Sequence, residues 1–116
     1  MVHLLNADLH CHSRFSDGTL SPSALARRAH GNGVELWALT DHDEVSGLAE
    51  AAQAAAALGM GFVNGVEISV SFAGQTVHIV GLGFDADDAQ LREGLAATRG
   101  GREPRAREMA AGLAAV

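Results

Sequence analysis

Apolar and polar residues fall in blocks along this chain, and the period of each block separates strands from helices. "VHLLNADLH" is a short apolar run ending in polar groups, which predicts a buried strand. In "LSPSALARRAHGNG", Ser21 is placed to cap a helix and Pro22 occupies its first turn, while Gly31 and Gly33 stop it. "VELWALTDHD" predicts a second strand. The alanine-rich "SGLAEAAQAAAALG" predicts a helix with Leu48, Ala52, Ala55 and Leu58 near one face, ended by Gly59. "GFVNGVEISVSF" and "QTVHIVGLGF" are two further strands separated only by "AGQ", hence a hairpin. "DADDAQLREGLAATRG" opens with acids suited to a helix N-terminus, and a last helix is expected to start near Pro104.

Strands alternating with helices predict an α/β fold with mostly parallel strands in one domain spanning residues 1–116. The sequence shows no repeat and no low-complexity linker, and the "GG" at 100–101 reads as a helix break. The segment "PRAREMAAGLAAV" runs out in mid-pattern without a stop signal. About four strands with three helices also leave an apolar edge strand open. Both features lead us to expect the N-terminal part of a longer protein.

Length permits a real core, since a domain of 116 residues buries roughly two-thirds of its unfolded surface. At 47% hydrophobic residues the chain is too apolar to be disordered, and no apolar run reaches the roughly 18 residues of a membrane helix. "MVHLL" lacks the pattern of a signal peptide, and a single cysteine, Cys11, excludes an internal disulfide; a reducing, cytoplasmic location is expected. The net charge of −6 argues against binding duplex DNA. All eight basic residues are arginines, and Arg92, Arg99, Arg102, Arg105 and Arg107 lie in one C-terminal stretch.

Candidate chemistry sits at the strand ends. Residues i and i+2 of a strand share a face, so His10 and His12 point the same way and Cys11 the other. His42 follows the second strand between Asp41 and Asp43. Glu67 and His78 lie inside otherwise apolar strands, where a polar group is costly unless partnered. Asp17 lies in the loop after the first strand, beside Gly18, which suits a tight turn. Each residue has an ordinary reading: Glu67 could pair with an arginine, His78 could be a satisfied core histidine, Asp17 a turn residue, Asp41 a helix cap. Their convergence at the C-terminal ends of successive strands favours one metal site. Histidine and carboxylate donors without thiolates suit manganese, iron or zinc, with magnesium also compatible, and the number of donors suggests two or three divalent ions. Such ions orient phosphate and generate a nucleophile near neutral pH. Arg99, Arg102 and Arg105, spaced by three, could share a helical face and bind phosphate, or could be a solvated helix end.

The motifs "DLHCHSRFSDG", "LTDHDEVSG", and "GVEIS" followed by "VHIVGLGFD" together resemble the PHP (polymerase and histidinol phosphatase) superfamily of metal-dependent phosphoesterases over roughly residues 3 to 112. The "HIVGLGFD" and "TRGGREPRAREM" stretches are similar to enzymes acting on nucleoside 3′,5′-bisphosphates, nucleoside monophosphates or short RNA 5′ ends. The resemblance implies a distorted (β/α)₇ barrel with three metals. His10, His12 and Glu67 would hold one, Asp17 and His42 a second, and Glu67 with His78 a third. It implies phosphate monoester hydrolysis by a metal-bridged hydroxide, with Asp17, His42 and Asp43 as the catalytic set, Asp43 orienting substrate or water. Asp8 and Asp41 would orient histidines from behind. The family's further histidines and its C-terminal Asp-x-His have no counterpart after His78.

Two other readings compete. An amidohydrolase also begins with His-x-His on a barrel strand, but often uses a carboxylated lysine, and this chain has no lysine. A non-catalytic PHP module, as attached to DNA polymerases, is disfavoured by the intact donor set. The sequence leaves the metal, the exact nucleotide or oligonucleotide and the oligomeric state open.

Overall fold

The hairpin "FAGQ" shows how local sequence sets the sheet. In the computed structural model, which describes residues 4–99, Ala73 and Gly74 both adopt positive φ (53° and 78°). Two such residues make the tight turn whose twist matches antiparallel strands. It joins β3 (Gly61–Phe72) to β4 (Gln75–Leu82), in register from Gly65 opposite Leu82 to Phe72 opposite Gln75. Before them come β1 (Ala7–Asp8) and β2 (Leu36–Leu39), and the sheet order is β1-β2-β3-β4, with the first three strands parallel. The expected α/β layout and its hairpin are both present.

The helices form where their caps predict. Helix α1 (Pro22–Gly31) starts at Ser21, whose hydroxyl accepts from the Ala24 amide at 3.1 Å. Helix α2 (Leu48–Leu58) ends on Gly59 at φ 70°, the left-handed stop that glycine adopts without strain. Helix α3 (Ala89–Arg99) is opened by Asp88, whose carboxylate accepts from the Leu91 amide at 2.8 Å. The helix expected from Pro104, with Arg102 and Arg105, lies outside the described residues.

One core cluster joins the helices to the sheet. Leu48, Ala51 and Ala55 of α2 pack with Trp37, Leu39, Val66, Ile68 and Val70, and Leu91 and Leu95 of α3 join them. Alanine on the inner face of α2 lets that helix lie close to the strands. Ala51, rather than the expected Ala52, is the fully buried alanine, so the inner stripe runs i, i+3, i+7. Alternation sends Val66, Ile68 and Val70 into this core and aims Glu67 and Ser69 at the opposite face.

Two strands are shorter than the sequence suggests. β1 is confined to Ala7–Asp8, and Leu4 and Leu5 before it are exposed. β2 ends at Leu39, after which Thr40 joins the Cys11 backbone through both its amide and its side chain. Its amide donates to the Cys11 carbonyl at 2.9 Å, and its hydroxyl accepts from the Cys11 amide at 3.2 Å. His10–His12 are therefore held beside β2 without belonging to a regular strand.

Candidate metal centre

Glu67 is the centre of the site. It lies on the middle strand β3 with Val66 and Ile68 anchored in the core on either side, and it is only 5% exposed. Its carboxylate meets four imidazoles. Oε1 contacts His10 Nε2 and lies 3.6 Å from His12 Nε2; Oε2 lies 3.1 Å from His42 Nδ1 and 3.4 Å from His78 Nδ1. A charge so buried is costly unless partnered, and here its partners come from three separate chain segments.

Local structure aims each partner. His10 and His12 lie 3.2 Å apart at their Nε2 atoms, while Cys11 between them turns to the core. There its thiol accepts from Trp37 Nε1 at 3.1 Å, and burial pushes its pKa up to about 11. His42 forms a parallel bridge with Glu67, fixed by Asp43 N to Glu67 O (2.9 Å) and Glu67 N to Asp41 O (3.0 Å). His42 stacks on His12 with ring centroids 4.4 Å apart. His78 pairs in register with Ser69 on the edge strand and is half exposed, so it pays little of the desolvation cost expected for an interior histidine.

Asp17 is brought over the site by a tight loop. Gly18 N and Ser16 N both donate to Ser13 O, at 2.9 and 3.1 Å. A Cβ on Gly18 would stand 2.2 Å from the His12 carbonyl oxygen, so close backbone approach requires glycine there. Asp17 then lies 3.5 Å from His12 Nδ1 and 3.2 Å from His42 Nε2.

Asp41 and Asp8 play different parts from those expected. Asp41 is buried and accepts from Ser13 N and Ser13 Oγ, both at 2.6 Å, and from Ser16 Oγ at 2.8 Å. It grips the loop that carries Asp17 rather than an imidazole. Asp8 accepts from the His10 backbone amide at 3.2 Å, so it acts on the chain and not on the ring. In both cases the reason is reach: a short aspartate at a strand end meets neighbouring backbone and hydroxyls first.

Asp43 is buried at φ 50° and accepts from the Ser69 amide at 2.9 Å. Burial pushes its pKa up, against the opposing pull of Ser69, His42 and Arg99. Ser69, missed in the sequence, also contacts His78 Nδ1 through its hydroxyl at 3.2 Å. The alternation in "VEISVS", which places Ser69 on the face of Glu67, was the available signal. Arg99 ends α3 with its guanidinium donating to the Asp43 carbonyl and 3.4 Å from Glu44 Oε2. Burial disfavours the charge on Glu44, yet the Ser46 hydroxyl and amide, Arg99 and the Val45 amide outweigh it and hold that carboxyl below its usual range.

The donors fit divalent cations. Three trios, His10–His12–Glu67, His12–Asp17–His42 and His42–Glu67–His78, each bring their ligand atoms within 4.8 Å of one another. Separations of 3.1 to 3.6 Å around Glu67 match the ~3.3 Å edge of a tetrahedron with metal bonds of about 2.05 Å. His12 Nδ1 is buried with no hydrogen-bond partner among the described residues. A neutral imidazole has one free lone pair, so His12 and His42 cannot each serve two ions at once.

An α/β sheet whose clustered histidine and carboxylate donors fit divalent ions is the class that fold and site define. The chain belongs to the PHP domain family, which matches residues 8–103. It is 54% identical over 112 residues to a 3′,5′-nucleoside bisphosphate phosphatase of Chromobacterium violaceum, covering 97% of this chain and 39% of that protein. It is 46% identical to a 5′-3′ exoribonuclease of Haemophilus influenzae, covering 88% of this chain and 37% of that one. Among solved structures, an amidohydrolase of C. violaceum with bound sulfate and no metal superposes with a TM-score of 0.81 at 55% identity, over 95% of this chain and 39% of that one. A Bifidobacterium adolescentis protein described as a metal-dependent phosphoesterase gives 0.78 at 32% identity, over 83% and 34%. The chain thus spans about two-fifths of the length of the curated relatives it matches.

Proposed function

We propose that this chain supplies much of the metal site of a phosphoesterase that hydrolyses phosphate monoesters of nucleotides. The substrates are a nucleoside 3′,5′-bisphosphate, an AMP-like monophosphate or a short RNA 5′ end. The observation that carries the reading is the buried Glu67 carboxylate facing four imidazoles on one side of the sheet. The names of the phosphatase and exoribonuclease relatives support the substrate class. The family resemblance implies His10 and His12 with Glu67 at one ion, Asp17 with His42 at a second, and Glu67 with His78 at a third, a division in which no imidazole serves two ions. Manganese, iron or zinc suits these donors. Bound there, such ions lower the pKa of water and neutralise phosphate charge.

The chain's own residues do the rest. Glu67 would offer one oxygen on the side of His10 and His12 and the other on the side of His42 and His78. Asp17, on its loop, faces His12 and His42 and closes one side. Asp43 holds a polar, dehydrated carboxyl beside them and orients substrate or water. The sulfate-bound neighbour, described as an amidohydrolase, gives the second reading, but this chain has no lysine to bridge metals.

The test combines elemental analysis of chelator-free protein with phosphate release from a nucleoside 3′,5′-bisphosphate and a 5′-monophosphate. Bound divalent metal and manganese-stimulated release are expected, both lost in Glu67→Gln. Metal uptake equal in the wild type and Glu67→Gln would overturn the assignment.

A further inference from the structure

We infer that Arg99 is a positioning residue: from the end of α3 it clamps the Asp43–Ser46 turn and thereby sets where His42 points. This rests on the phosphoesterase reading above. It replaces the phosphate-binding role expected for Arg99 with a structural link between a helix and the metal site.

The turn needs a clamp. Asp43 adopts φ 50°, a left-handed conformation that costs L-residues free energy, aspartate less than most, and it directly follows His42. A strained residue keeps such a conformation only when its surroundings over-determine it. Three bonds to β3 do so from one side: Asp43 N to Glu67 O, Ser69 N to Asp43 Oδ1, and Glu67 N to Asp41 O. The Asp43 carbonyl takes no part in those bonds, and Arg99 Nη1 donates to it. The contact joins residues 56 apart in sequence.

Glu44 makes the clamp rigid. Its Oε1 accepts from the amides of Val45 and Ser46, both at 3.1 Å, and from the Ser46 hydroxyl. Its Oε2 faces Arg99 Nη1 at 3.4 Å. Arg99 thus holds the turn at two points, a carbonyl and a carboxylate that is itself bonded into the turn. The same carboxylate argues against phosphate binding, because it competes for the guanidinium and repels an incoming anion.

Cobalt(II) titration of the chelator-treated protein, followed by its visible absorption, tests the clamp independently of turnover. Arg99→Ala and Glu44→Gln are each expected to weaken uptake by about 10- to 100-fold, as loss of an outer support of a metal ligand does, and to alter the band shape. Arg99→Lys should restore part of the affinity. In turnover assays kcat should fall with KM little changed. The opposite split overturns the proposal: KM raised in Arg99→Ala with unchanged cobalt affinity, and KM lowered in Glu44→Gln, which removes a negative charge. If Arg99→Ala does not fold, Glu44→Gln and Arg99→Lys carry the test, since both preserve the packing of α3. Wild-type protein that takes up no cobalt overturns the phosphoesterase reading and the clamp with it. Wild-type uptake with unchanged variants overturns the clamp alone.

Discussion

Asp41 holds the Asp17 loop with one buried carboxylate and three short hydrogen bonds from Ser13 and Ser16. Charge-assisted bonds are worth about 1.5–3 kcal/mol each, and an asparagine of the same shape keeps the geometry but turns an NH₂ group towards one of the donors. Asp41→Asn is therefore expected to lower stability by about 2 kcal/mol. The midpoint of urea unfolding should fall with an unchanged slope; an unmoved midpoint would show that the loop does not depend on the charge. The sequence revealed Asp41 as a functional-looking residue but misdirected its role, because Ser13 and Ser16 approach only through the fold. His10, His12, Asp17, His42, Glu67 and His78 were legible for the opposite reason. Alternation and strand-end placement are local rules, and they were enough to mark these groups as one set, although His10 and His12 are held outside a regular strand and Asp17 is placed by its loop. Ser69 obeyed the same rule and could have been read with them. Arg99 could not, since its partners are distant in sequence and its basic neighbours suggested phosphate instead.

At the level of elements, helix caps were the most legible feature, because Ser21, Pro22 and Gly59 act on neighbours within a few residues. What caps could not show is how one helix supports another. Glu50, in the first turn of α2, accepts from the amide and the hydroxyl of Ser23, both at 2.9 Å, in the first turn of α1. There it satisfies an otherwise free amide of α1 and lies at the positive end of that helix. The Ser23 amide and hydroxyl hold its carboxyl pKa below the ordinary 4.5. A carboxyl whose pKa is lower in the folded state stabilises fully above its unfolded pKa, and that contribution is lost as pH falls through the folded value. The stability difference between wild type and Glu50→Gln should thus be constant near neutrality and shrink below about pH 4.5. Melting temperature against pH checks this. Because the pair faces solvent, added salt should also reduce the difference; a gap that persists at acid pH would assign the loss to packing instead.

Over the whole molecule, the sheet is closed on one side only by its helices. β4 is the last strand in the order, and beyond it no strand pairs among the described residues. Its two faces are both apolar and partly open. Val77 and Ile79 are 39% and 37% exposed on the face opposite Ser69, while Val80 and Leu82, on the face of Glu67, are 40% and 43% exposed. A soluble protein normally covers or charges such an edge, because its free amides and carbonyls accept another strand. Nothing on β4 supplies that protection: His78 is its one ionisable side chain, and Gln75 at its start pairs with the exposed Phe72 of β3. The open edge that the strand count predicted is thus a physical property of residues 75–82, and it concentrates apolar surface beside the metal site. Chain of this length produced alone is expected to self-associate through β4, with apparent mass rising with concentration in light scattering and with strong binding of a hydrophobic dye. Val77→Lys together with Ile79→Lys should return it to a monomer, because lysine on the edge opposes strand pairing while the donors around Glu67 lie on the other face. If association persists in that double variant, the contact lies elsewhere, with Leu4 and Leu5 at the opposite edge the next surface to change.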